Sequence, residues 1–124
     1  MLYDLYFREM KIGVVTEDDS DFPNLWGTVT YDDSLVKPVS EEARRFSVFL
    51  ELSCESMRLV DIEHEQDVSN ELDALIKQLE EFNNDFETDD WQLITEAGER
   101  IPILCPIFRH GAKIVWRWNP SEKA

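Results

Sequence analysis

Residues 11–31, KIGVVTEDDSDFPNLWGTVTY, contain the pattern that decides the fold. Residues that favour strands, mostly β-branched or aromatic, stand on either side of an acidic segment and a Phe-Pro step. Proline has no backbone N–H to donate, so a central strand does not run through that step. The pattern predicts one strand over 10–16, a turn or loop over the acidic residues 17–21, and another strand over 25–31.

Two glycines lie within these predicted strands, each beside a large apolar residue. Gly13 follows Ile12, and Gly27 follows Trp26. A glycine inside a strand usually marks a β-bulge or a close approach of two backbones. We therefore expect both glycines to have a role in the folding of the sheet and none in chemistry.

Two helices are predicted in the middle of the chain. Ser40 is a suitable N-cap, and Glu41 and Glu42 suit the positive end of a helix dipole. The apolar residues of 41–61 fit a helix and a strand equally well, but the cap, the length and the lack of Gly and Pro favour a helix. From 66 to 83 the apolar residues recur at intervals of three and four, which predicts a second, amphipathic helix.

The beginning and the last third of the chain are predicted to form strands. The predicted strands outside the opening pattern are 2–7, 91–96, 101–108 and 113–118. Pro102 and Pro106 fall within one of them, which places that strand at an edge or indicates that it is bulged or broken. The sum is a single α+β domain over 1–124, with about six antiparallel strands, two helices packed on one face, and a frayed tail over 119–124.

The strand pattern resembles that of a group of small bacterial proteins of unknown function. Their pattern is an I-G-x-L hairpin, a D-x-D-x-P-x-x-x-G step, a phenylalanine-rich middle and a closing W-R. Residues 12–14, 19–27 and 116–118 match it, whereas Val29 stands where the pattern prefers an aromatic residue. The resemblance covers the first 30 residues and the last ten, roughly, and it implies a fold but no activity, cofactor or functional residue.

The net charge excludes some classes of partner. The chain has 12 Lys and Arg against 27 Asp and Glu, a formal charge of −15. Such an excess of negative charge opposes binding to nucleic acid and to anionic membranes. It favours attraction to basic proteins. We therefore expect no nucleic-acid or membrane partner.

The cysteines and the opening residues bear on the compartment. Cys54 and Cys105 are too few for a disulfide framework, so we expect free thiols in a reducing cytoplasm, with a single bridge between them as the alternative. The stretch MLYDLYFREMK has neither the basic start nor the apolar core of a secretory signal. Both observations predict a cytoplasmic protein.

An acid-rich segment between Asp61 and Asp90 is the main candidate for function. It is either a solvated helix face or a docking surface for a basic protein, as in an immunity protein or inhibitor for a basic toxin. The candidate partner-binding residues are Glu71, Asp73, Glu80, Glu81, Asp85 and Trp118. Trp118 is included because it stands beside Arg117, and these two residue types often anchor interfaces.

Two other classes of function stay open. An enzyme with a carboxylate site at Asp19, Asp21 and Glu63 is one, and a homodimer through an exposed edge strand is the other. His64 lies between two glutamates, but no second His or Cys has the spacing of a metal site, and His110 fits a solvated turn. We therefore predict no catalytic residue, no metal and no cofactor.

Overall fold

The computed structural model describes residues 2–21, 24–38, 40–63, 65–88 and 90–118, with the backbone alone for 19–21. The tail 119–124, which was predicted to fray, lies outside these ranges. Within them the chain forms seven strands and three helices. In chain order these are β1 (Leu2–Phe7), β2 (Met10–Asp21), β3 (Asn24–Tyr31), α1 (Asp33–Val36), α2 (Glu41–Ile62), α3 (Ser69–Phe86), β4 (Trp91–Thr95), β5 (Arg100–Ile103), β6 (Ile107–Arg109) and β7 (Lys113–Trp116).

The strands form one antiparallel sheet in the order β5-β4-β1-β2-β3-β7-β6. Strands β5 and β6 are consecutive in the chain but lie at opposite edges, and only residues 104–106 join them. Because so short a connection spans at most about 14 Å, the sheet must curl until its edges approach each other. Backbone contacts seal this closure: Ile103 pairs with Trp118, and the Leu104 N–H donates to the Arg117 carbonyl at 3.0 Å.

The predicted α+β class and antiparallel sheet are confirmed, with one strand more than expected. The segment 101–108 is two strands, so the break predicted from Pro102 and Pro106 is present. Pro102 still pairs with Gln92 across β4 and β5, whereas Pro106 lies in the connection before β6. The sequence did not indicate that β5 and β6 lie at opposite edges of the sheet.

The prediction of a turn over 17–21 is wrong. These residues extend β2 and pair with the beginning of β3, from Glu17 opposite Gly27 to Asp21 opposite Asn24, with a bulge at Asp18. Strand pairing uses backbone groups, and the Asp18 carboxylate lies at the surface, where it accepts a hydrogen bond of 2.7 Å from the Thr28 hydroxyl. Acidic side chains are therefore compatible with the ladder, and residues 22 and 23, between β2 and β3, lie outside the described ranges.

Both strand glycines mark close approaches of two backbones, as predicted. A Cβ atom on Gly13 would lie 2.3 Å from the carbonyl oxygen of Thr30. One on Gly27 would lie 2.4 Å from that of Thr16 and 3.0 Å from the ring of Trp116. Glycine is required at these points because β2 and β3 approach each other closely there, and the Trp116 ring of β7 also lies against Gly27.

Helix α2 fills the concave face of the sheet. The Ser40 hydroxyl accepts from the Ala43 N–H at 3.1 Å, so the predicted N-cap is confirmed, and 41–62 is a helix rather than a strand. Phe46 is fully buried at the centre of the core. Its ring contacts those of Phe49, Phe86, Trp91 and Phe108.

Helix α3 packs on the outside of α2. Its last turn reaches the core through Phe82 and Phe86, whose rings contact Phe49. The predicted end near Asn83 is wrong, because Phe86 still belongs to the helix and its carbonyl accepts from the indole N–H of Trp91 at 2.6 Å. The result is three layers at this end of the molecule, the sheet, α2 and α3.

Candidate functional site

A cleft of about 440 Å³ opens between α2, α3 and the segment that joins β5 to β6. Helix α2 contributes Phe49, Ser53, Ser56 and Met57, helix α3 and its C-terminal flank contribute Leu79, Asn83, Glu87 and Thr88, and the third wall is residues 104–108. The cleft exists because the chain must cross from one edge of the sheet to the other, which carries residues 104–106 past the end of α3. Binding sites usually have apolar walls with a few polar groups among them.

Apolar side chains at the cleft are exposed to solvent. Leu104 and Ile107 line it, with 38% and 50% of their surface exposed. Val60 lies one turn beyond Met57 on α2, and Ile76 lies one turn before Leu79 on α3, so helical geometry places both along the same opening. Exposed apolar residues gathered in one region mark interaction sites more often than single ones do.

These side chains account for half of the large hydrophobic residues that are exposed in the described ranges. The eight are Leu2, Trp26, Val36, Val48, Val60, Ile76, Leu104 and Ile107. The last four we name the cleft rim. It is exposed because α3 rests on α2 alone along its first half. Leu72 and Leu75 are only half-buried there.

Carboxylates follow the same side of α3. Asp73, Glu80 and Glu87 are seven residues apart, about two helical turns, so they lie in one line along the helix. Glu87 lines the cleft directly, and Asp73 and Glu80 are each within one turn of Ile76 on the neighbouring surface. We name these three residues the acidic line.

The other predicted acidic residues lie elsewhere on α3. Successive residues turn by about 100°, which directs Glu71, Glu81 and Asp85 away from the cleft. Asp85 is ion-paired with Arg45 of α2, on the opposite flank. The structure therefore divides the predicted docking surface, with Asp73 and Glu80 beside the cleft and the remaining three apart from it.

The carboxylates of the two long helices differ in how far they are neutralised. Four of the five on α2 form ion pairs within the described residues, namely Glu41 with Arg44, Glu42 with Arg8, Glu55 with Arg58 and Asp61 with Arg109. Four of the five on α3 form no ion pair or side-chain hydrogen bond there, namely Glu71, Asp73, Glu80 and Glu81. The negative charge of α3 is therefore uncompensated.

Cys105 forms part of the inner wall of the cleft. Burial and, to a smaller extent, the nearby Glu87 carboxylate raise the pKa of its thiol to about 12. Burial also raises the pKa of Cys54. Both cysteines are free thiols in the structure, and at neutral pH neither is a nucleophilic thiolate.

Trp118 is half-buried, packs against the core and pairs with Ile103, so its backbone adjoins the segment that forms the third wall of the cleft. Its neighbour Arg117 is exposed and donates to Asn24 at 2.6 Å.

The three acidic residues proposed for an enzyme lie on separate elements of the backbone. Asp19 and Asp21 lie on β2, whereas Glu63 follows the end of α2, which is bonded to the turn after β6. Strands β3 and β7 lie between β2 and β6, a separation of about 14 Å at the usual strand spacing.

His110 contacts Asp61 at 3.1 Å, and His64 lies outside the described residues. In the part of the chain that the structure describes, His, Cys, Asp and Glu do not gather in a group of three or more that would hold a metal ion. None of the helices described there combines the length and the apolar character needed to cross a bilayer.

Reasoning from the sequence missed the cleft rim. Ile76 belongs to the apolar stripe that predicts the amphipathic helix over 66–83. Leu104 and Ile107 belong to segment 101–108, which was predicted to lie at an edge or to be bulged or broken. The signal that was available is Pro106, which lies in the connection between β5 and β6, directly before Ile107.

Comparison with protein-family models, with curated proteins and with solved structures finds no match to this chain. The resemblance to small bacterial proteins of unknown function therefore stays a prediction.

Proposed function

We propose that this chain is a non-catalytic, acidic protein-binding domain that acts in the bacterial cytoplasm on a basic protein, in the manner of an immunity protein or an inhibitor. The observation that carries the proposal is the uncompensated charge of α3. Glu71, Asp73, Glu80 and Glu81 are exposed and unpaired within the described residues, although the same chain pairs most carboxylates of α2.

Uncompensated charge on one helix has a physical cost, because like charges repel within the folded domain. A basic partner removes that cost when it binds, and the field of the helix accelerates its approach. Nucleic acid and anionic lipid are themselves negatively charged and are repelled by this helix. The charge therefore favours a partner protein whose surface is rich in Lys and Arg.

Self-association through an open sheet edge is less favoured by the described strands. Strand β6 has three residues, and β5 has four and contains Pro102. Short edge strands and edge prolines are the features that oppose pairing with a second copy.

The test is capture from a lysate of the native organism at low salt, followed by a salt gradient and mass spectrometry. We expect a stoichiometric basic protein that elutes as salt rises, because screening weakens contacts between exposed charges. The triple change Glu71→Lys, Asp73→Lys and Glu80→Lys should abolish its capture.

The matched control changes Glu9, Glu96 and Glu99 to Lys, which alters the net charge equally at exposed positions outside α3. The control should still capture the basic protein. No retained protein at low salt, or equal loss in both triple variants, would contradict the proposal.

A further inference from the structure

We infer that the cleft beside α3 is the docking site and that its occupant is a basic amphipathic helix of the partner, lying along α3. The inference rests on the proposed function and adds the site and the form of the partner. Its apolar side chains would enter between Leu79, Leu104 and Ile107, and its Lys or Arg residues would face the acidic line.

The exposed apolar side chains of the cleft rim form one part of the proposed docking site. Leu104 and Ile107 line the cleft of about 440 Å³, and helical spacing places Val60 and Ile76 one turn from Met57 and Leu79, which also line it. A helix that lays its apolar face into such a groove buries side chains spaced at i, i+3, i+4 and i+7. The exposed part of the rim would then be covered.

The carboxylates of the acidic line form the other part of the proposed docking site, and their spacing indicates a helical occupant. Asp73, Glu80 and Glu87 repeat every seven residues, and a partner helix alongside α3 presents its own side chains at the same interval. A Lys or Arg at every seventh position of that helix therefore meets one carboxylate each time. Three residues of an extended segment span a similar distance, about 10 Å, but successive side chains of a strand point to opposite faces, so every third residue does not meet the carboxylates.

The cations nearest the cleft do not oppose a basic occupant. Arg109 is held by Asp61, with 2.7 Å between Nη2 and Oδ1, and Arg58 is held by Glu55. In the described residues of α3 the one base is Lys77, which lies on the far side of the acidic line. The opening is thus apolar at its centre and negative along one margin.

The test uses the full chain and a fluorescent model peptide of Leu and Lys, 21 residues long, with Leu on one helical face and Lys elsewhere. Binding is followed by fluorescence anisotropy at low and physiological salt. We expect Ile76→Ser with Ile107→Ser to weaken binding about tenfold or more, as loss of central interface contacts does. The change of Asp73→Asn with Glu80→Gln and Glu87→Gln should have a similar effect.

Two matched controls are available. Val36→Ser with Val48→Ser removes exposed apolar surface elsewhere, and Glu9→Gln with Glu96→Gln and Glu99→Gln removes the same charge outside α3. Both should leave affinity within about twofold. A scrambled peptide of the same composition, which has no apolar face, should bind much more weakly.

Equal effects in the cleft variants and the controls, or equal binding of the scrambled peptide, would overturn the inference. So would the absence of peptide binding. The proposed function is contradicted by a different result, namely that no basic partner is captured from the lysate. If a partner is captured, a photo-cross-linking residue at position 107 should attach to it and one at position 48 should not.

Discussion

Arg109 donates from Nη2 to both carboxylate oxygens of Asp61, at 2.7 and 2.8 Å, and so attaches the edge strand β6 to the last turn of α2. The ring of His110 contacts the same carboxylate at 3.1 Å. A strand of three residues has few backbone hydrogen bonds of its own, so this contact holds one wall of the cleft in place. These bonds, that of His110 first and then that of Arg109, hold the pKa of Asp61 below its usual value.

Asp61→Asn should lower the stability of the protein at neutral pH, since the amide cannot replace the charged pair. The folded pKa of Asp61 is depressed, so the stabilisation is present above the unfolded value of 3.8 and is lost as pH falls through the folded pKa. Urea unfolding at a series of pH values should show the variant and the native protein converging in acid. Asp73→Asn, which removes an unpaired carboxylate, is the control and should cause no loss at neutral pH.

The same variant should loosen β6. Amide hydrogen exchange of residues 107–109 should accelerate in Asp61→Asn, while exchange in the β1–β2 hairpin stays unchanged. Uniform acceleration across the sheet would contradict a local role for the contact.

Phe46→Ala should cost about 3–5 kcal/mol in the free energy of unfolding, because Phe46 has no exposed surface and its ring contacts those of four other aromatic residues. Chemical denaturation measures this loss. Val48→Ala, on the exposed side of the same helix, should change stability by no more than about 0.5 kcal/mol. A small effect at Phe46 would mean that α2 does not organise the core.

Gly27→Ala should destabilise the sheet by about 1–3 kcal/mol, because the added Cβ would lie 2.4 Å from the Thr16 oxygen. Gly98→Ala provides the comparison. A Cβ added at Gly98 meets no atom within 4 Å, but the residue has a φ of +86°. The loss of stability in this variant, about 1 kcal/mol, therefore comes from the left-handed backbone alone. Thermal and urea unfolding should rank Gly27→Ala as the more damaging, and the reverse order would count against the close approach of β2 and β3.

Cys105 should react slowly with thiol reagents in the folded protein. Its pKa of about 12 against a usual 9.0 leaves little thiolate near pH 8, so we expect its alkylation to be at least about a hundredfold slower than in urea. The Cys54→Ser and Cys105→Ser variants separate the two thiols, and mass spectrometry follows them. Rapid labelling of Cys105 would show that the cleft wall opens in solution.

The elements that rest on local chemistry were predictable. Ser40 begins α2 because its hydroxyl can accept from the Ala43 N–H, and Gly98 and Gly111 mark turns with φ of +86° and +74°. The β1–β2 hairpin and the period of α3 follow from patterns of two and of three to four residues. The ends of the helices were harder to predict from the sequence. Phe86, for example, extends α3 because its ring is buried in the core.

The sequence by itself determined the α+β class, the antiparallel strands, the two long helices and the excess of negative charge, because each depends on neighbours along the chain. Only the tertiary structure decided which strands form the edges, where residues 104–106 cross, and which carboxylates of α3 stand beside an open cleft. Glu80 and Glu81 are adjacent and chemically identical in the sequence. The packing of α3 on α2 leaves one at the cleft and turns the other away, because long-range contacts fix the rotation of a helix and its composition does not.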